Sequence, residues 1–195
     1  MRDDNLNCSI KPIINHKHKC IYIHIPKNAS STIRDCIWGQ QKDLDYIKYK
    51  EVNKYHDYFK FTFVRNPYDR FLSFYLDNVR GEMLKAEEHR SYRDYNKYKK
   101  SVNGLINHIF EYDNNRLDYH LKPQIWFTEN IELDFIGKVE TFNTDFRMVK
   151  VILNIDKEHR HLRETEKKYG LLSAQKNMIY KKYEDDFKRF GYSKE

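Results

Sequence analysis

The run CIYIHI, halted by Pro26 and followed by KNASST and then IRDCIWG, constrains this chain more than any other stretch. A short apolar run rich in β-branched residues that stops at a proline reads as a buried strand. Ile33, Ile37 and Trp38 recur at helical spacing and reach Gly39, so a helix follows a tight polar loop. Strand, loop and helix in that order gather successive backbone N–H groups and a helix N-terminus around one point, the geometry that cradles a phosphate or sulfate. In the glycine-spaced loop of ATPases and GTPases the lysine comes last and a strand-end acid holds Mg²⁺. Here Lys27 comes first and no such acid is evident, which disfavours both classes.

A second unit repeats the grammar. FKFTFV reads as a buried strand, Asn66 as an N-cap, Pro67 as the first helical residue and Gly81 as the helix end. Phe71, Phe74, Tyr75 and Asn78 or Val79 form one stripe of that helix, leaving Arg70, Ser73 and Asp77 on an available face. LDFIGKVE is a third strand. It precedes a helix striped by Phe142, Phe146, Val149, Ile152 and Leu153, and residues 173–190 form a long charged helix packed through Met178, Ile179, Tyr183 and Phe187. Strands alternating with helices imply an α/β, P-loop-type three-layer fold with a mainly parallel central sheet flanked by helices. One domain over 1–195 is expected, with 1–19 as a polar lead-in.

Composition excludes several classes. No apolar run approaches the roughly 20 residues that span a bilayer, and the first residues lack the apolar stretch of a signal peptide, so a cytoplasmic location is expected. Cys8, Cys20 and Cys36 have no CxxC spacing and suggest reduced thiols and no metal site. The formal net charge of +7 attracts anions, and charge alone does not choose among nucleic acid, glycan, membrane surface and phosphate-rich cofactor.

HIPKNASSTIR followed by FKFTFVRNPYDRFLSFY resembles the paired nucleotide motifs of sulfotransferases that use 3′-phosphoadenosine 5′-phosphosulfate (PAPS), above all the carbohydrate-modifying group. DYHLKPQ, DFIGKVE, HLRET at 161–165 and DDFKRFGY extend the likeness over most of the chain from Cys20. The resemblance implies that Lys27, Asn28, Ala29, Ser30, Ser31 and Thr32 hold the 5′-phosphosulfate, that Arg65 and Ser73 hold the 3′-phosphate, and that Arg163 and Thr165 lie on a third loop near the nucleotide. Two separated phosphate groups need two anion sites, and each motif has its own strand-to-helix turn. A guanidinium supplies a planar fork for the second.

Sulfuryl transfer needs in-line placement and neutralisation of charge on the leaving oxygen, a role that suits Lys27. A sulfuryl group carries less charge than a terminal phosphoryl, so no divalent metal is required. The acceptor hydroxyl needs a base titrating near neutrality. His120, within HLKPQ, is the candidate and His56, just before the second motif, is its rival, whereas His24 inside the first strand reads as a core residue. The expected acceptor is a saccharide or glycan-bearing molecule, with no nucleic-acid partner and no membrane span. Oligomeric state is open. Two other readings stay open: a P-loop small-molecule kinase gripping ATP, and a non-catalytic polyanion binder.

Overall fold

The structure is a computed structural model, and it describes residues 11–39, 44–79, 101–158 and 170–195. The chain forms two compact units, Met1–Arg65 with Gln124–Glu164, and Asn66–Pro123 with Thr165–Glu195.

In the first unit the described residues form a four-stranded sheet: β1 (Ile13–Asn15), β2 (Cys20–Ile23), β3 (Phe59–Val64) and β4 (Phe135–Lys138), in that spatial order. β2, β3 and β4 run parallel and β1 is antiparallel to β2. The α/β class with a mainly parallel sheet is therefore as the alternation of strands and helices implies. β1 is an addition, because it falls inside the stretch read as a lead-in. Ile13 and Ile14 are buried, and the indole Nε1 of Trp38 donates to the Ile14 carbonyl at 3.2 Å.

Alternation along the strands builds the core. Cys20 and Tyr22 of β2 and Phe61 and Phe63 of β3 pack with Ile33, Cys36, Ile37 and Trp38 of α1 (Ser30–Trp38) and with Phe142, Phe146 and Val149 of α5 (Phe142–Ile152); the single turn α4 (Ile125–Thr128) precedes β4 in the chain. The opposite side of β3 is buried too, at Thr62 and Val64, as a parallel strand covered on both faces should be. Ile152 departs from the expected stripe and is 52% exposed, with Leu153 taking the buried position. Burial also pushes the Cys20 thiol up to about 12, so it stays a neutral, packed group.

Gly137 pairs with Phe63 across β3 and β4, and a Cβ built there would lie 2.5 Å from the Phe63 ring. Phe63 is fully buried and has no room to yield. Gly137→Ala is therefore expected to destabilise the fold by about 1–3 kcal/mol through overpacking, read as a lower midpoint in urea with an unchanged slope. A midpoint equal to that of the native sequence would contradict this packing.

The second unit holds α2 (Pro67–Phe74), α3 (Val102–Glu111) and α6 (Ser173–Phe190) around a core of Phe71, Phe74, Leu105, Ile109, Leu121, Ile179, Tyr183 and Phe187. α2 starts as its sequence dictates: the Asn66 side chain accepts from the Tyr68 N–H, and Pro67 occupies the first turn. Ser101 caps α3 by accepting from Gly104 N–H at 3.0 Å, and α6 closes on Gly191 at φ 65°. Two readings need correction. Arg70 and Ser73 are 3% and 4% exposed, so the polar face of α2 is buried, and Met178 of α6 is exposed while Asp186 and Phe190 are buried. Gly81 lies outside the described residues. Among the described residues no helix is long and apolar enough to cross a membrane.

Candidate active site

Because β2 and β3 are parallel, their C-terminal ends lie on one edge of the sheet, where open α/β sheets bind ligands. The loop after β2 carries Lys27, Asn28 and Ala29, and the chain leaving β3 carries Arg65.

Lys27 and Ala29 sit in the left-handed region, at φ 71° and 57°, and neither is glycine. Each such residue costs on the order of 1–2 kcal/mol, which surrounding contacts must offset. The strain turns the loop sharply into α1, whose N-cap, Ala29, supplies no side-chain hydrogen bond to the first turn. The N-terminal amides of α1 are thus not spanned by a side-chain cap, and the partial positive end of a nine-residue helix meets whatever anion lies there.

Asn28 lies between the two strained residues and is fully buried. Its Nδ2 donates to the Phe63 carbonyl at 2.8 Å and to Gln124 Oε1 at 2.7 Å, while its Oδ1 is buried and accepts no hydrogen bond. An orphaned amide oxygen costs about 1–3 kcal/mol, so Asn28 is held for what it donates. The Ser30 hydroxyl is also committed inward. It donates to the Ile25 carbonyl at 2.9 Å and accepts from Tyr22 Oη at 3.1 Å, so its proton is spent and a phosphate oxygen would meet the Ser30 amide instead. Burial raises the Tyr22 phenol above its ordinary range, which keeps it a donor to Ser30. Ser31 is half-buried and Thr32 buried, both in the first turn of α1. His24, also buried, lies with its ring centroid 6.0 Å from that of Tyr22, in agreement with a core role.

Arg65 joins this loop. Its Nη1 donates to the Lys27 carbonyl at 3.3 Å, its backbone N–H donates to Gln124 Oε1 at 2.9 Å, and its carbonyl accepts from Gln124 Nε2 at 2.8 Å. The structure thus brings Lys27, Asn28 and Arg65 into one cluster and adds Gln124, which carries no titratable group and follows no local spacing rule. Two cations beside an uncapped helix start fit a ligand bearing a phosphosulfate.

Ser73 and His120 belong to the second unit. Ser73 is buried in α2, so its hydroxyl is not on an open helix face. His120 Nδ1 is 2.9 Å from Asp118 Oδ1, which also accepts the His120 backbone N–H at 2.9 Å. A carboxylate accepts, so Nδ1 carries a proton, and in the neutral form of the ring Nε2 is the accepting nitrogen. The imidazole stacks on Tyr119 at 4.1 Å and lies 5.8 Å from the Phe74 ring, and its side chain is 22% exposed. His56 is exposed on the first unit beside Asp57, whose carboxylate pairs with Lys19 at 2.8 Å. Arg163 and Thr165 lie outside the described residues.

No curated protein and no solved structure matches the chain. A model of the sulfotransferase family matches residues 11–193, and so takes in both strand-to-helix turns, the Asp118–His120 pair and the final helix. That match decides among the readings the residues alone left open, against the kinase and the bare polyanion binder: this chain belongs to the sulfotransferase family, whose enzymes draw their sulfuryl group from PAPS.

Proposed function

We propose that this sulfotransferase sulfates a hydroxyl of a saccharide or glycan-bearing acceptor, with His120 as the general base. The Asp118–His120 hydrogen bond of 2.9 Å supports the choice of base, because it orients the imidazole, and the likeness of the two anion motifs to those of the carbohydrate-modifying group supports the acceptor class. The net charge of +7 favours acceptors that already bear anionic groups.

Bound PAPS supplies an activated sulfuryl group, whose bond to the 5′-phosphate breaks as the acceptor oxygen bonds sulfur, with 3′-phosphoadenosine 5′-phosphate leaving. His120 Nε2 takes the acceptor's hydroxyl proton as that oxygen attacks. Lys27 neutralises the charge gathering on the departing phosphate oxygen, and the amides of residues 28–32 hold the remaining oxygens. Arg65 and Ser73 are the residues that the resemblance gives to the 3′-phosphate. Arg163 and Thr165 are its third-loop residues.

Transfer of labelled sulfate from PAPS to a panel of neutral saccharides, acidic glycans, small phenols and tyrosine peptides tests the acceptor class. Acidic or neutral glycans are expected to lead by at least about tenfold in kcat/KM, a margin worth 1.4 kcal/mol. Preferred sulfation of phenols or peptides would remove the saccharide reading while leaving the donor site untouched.

A further inference from the structure

We propose that Gln124 is a positioning residue that locks the phosphosulfate loop to the arginine-bearing end of β3. The inference rests on the reading of the first unit's cluster as the PAPS site.

β3 ends at Val64, and there the Gln124 carboxamide takes over as a one-residue strand. It accepts from the Arg65 N–H at 2.9 Å and donates to the Arg65 carbonyl at 2.8 Å, the paired exchange that an antiparallel neighbour would make. The same Oε1 accepts from Asn28 Nδ2 at 2.7 Å, using its second lone pair. The bond to Asn28 is buried and the two to Arg65 are partly buried, and Gln124 itself is fully buried. Asn28 in turn bonds the Phe63 carbonyl, so the loop is pinned to β3 at Phe63 directly and at Arg65 through Gln124.

The pinning acts where the backbone is strained. Asn28 stands between two non-glycine residues at positive φ, a conformation that persists only while neighbours over-determine it. Gln124 therefore does two things at once. It holds Lys27 and the α1 amides in one geometry, and it fixes the backbone from which the Arg65 guanidinium projects. No other amino acid reproduces the pattern at this length: glutamate accepts twice but cannot donate to Arg65, and it sets a buried negative charge in an anion site.

The test compares Gln124→Glu, Gln124→Ala, Asn28→Ala and the Asn28→Ala/Gln124→Ala pair with the native full chain. The readouts are the Kd of 3′-phosphoadenosine 5′-phosphate by calorimetry, the KM for PAPS, kcat and Tm. Gln124→Glu keeps the side-chain volume but buries a carboxylate that repels the nucleotide by charge alone, so Gln124→Ala, which adds no charge, is the variant that reads positioning. Kd and KM are expected to rise about tenfold in it, and kcat to fall about tenfold or more, as reacting groups shift by a fraction of an ångström. The paired alanine variant should lose less than the sum of the two singles, because both break the Asn28–Gln124 bond while each also breaks bonds of its own, to Phe63 or to Arg65. A lowered Tm with unchanged Kd, KM and kcat would show Gln124 to be a fold residue only and would overturn the proposal. So would fully additive losses in the pair. Native protein that fails to bind 3′-phosphoadenosine 5′-phosphate would instead overturn the donor-site reading, and Gln124's role with it.

Discussion

Lys27→Ala is expected to lower kcat by about 10²–10³-fold, the loss seen when one donor to a developing oxyanion is removed. Lys27 opens the strained loop, its carbonyl is held by Arg65, and it is the cation nearest the start of α1 in sequence. The loss should fall mainly on kcat, because the charge that its ammonium meets grows only as the bond to the phosphate oxygen breaks. The fold should not suffer. Alanine carries the same Cβ as lysine, so the cost of φ 71° is unchanged, and Tm should stay within a degree or two. Lys27→Gly separates the two effects further, since it relieves the backbone strain and still removes the charge. Turnover that survives in both variants would take Lys27 out of the chemistry and leave it as a loop residue.

The strained loop also shows what a sequence can and cannot tell. β3 and α6 have the bounds that their patterns announce, because a run of aromatic and β-branched residues and an 18-residue charged helix ending at glycine are local signals. The cap of α2 is equally local, with Asn66 and Pro67 adjacent. β1 escaped because three residues, Ile13–Asn15, gain strand form only by pairing with β2. The burial of Arg70 and Ser73 escaped for a related reason. A polar stripe reads as solvent-facing, yet Arg70 Nη1 donates to the Lys122 carbonyl 52 positions away, which no window of sequence contains.

The site divides along the same line. Lys27 and Arg65 were legible because they stand in the two anion motifs that carry the resemblance. Gln124 was not, since its partners Asn28 and Arg65 stand 96 and 59 residues off and a neutral amide leaves no electrostatic trace. The nearest signal was its place as the last residue of DYHLKPQ, a stretch that the likeness already took in. Ser30 shows the reverse. The resemblance gives Ser30 to the 5′-phosphosulfate, and its hydroxyl proton goes to the Ile25 carbonyl, which leaves its amide for that role.

His120→Ala should cut kcat/KM by about 10²–10⁴-fold, the usual worth of a positioned general base. The more telling variant is Asp118→Asn. The amide oxygen can still accept from both Nδ1–H and the His120 backbone N–H, so the ring keeps its orientation, while the imidazolium that forms on proton uptake loses its counter-charge. The ring would keep its stacking on Tyr119 and its contact with Phe74, so geometry and Tm change little while the base is weakened. In the native enzyme kcat/KM should rise with pH as the imidazole loses its proton, since only the neutral form accepts. That rising limb should vanish in His120→Ala and persist in His56→Ala. A pH profile that keeps its limb without His120 and loses it without His56 would move the base to the first unit, and with it the whole account of Asp118.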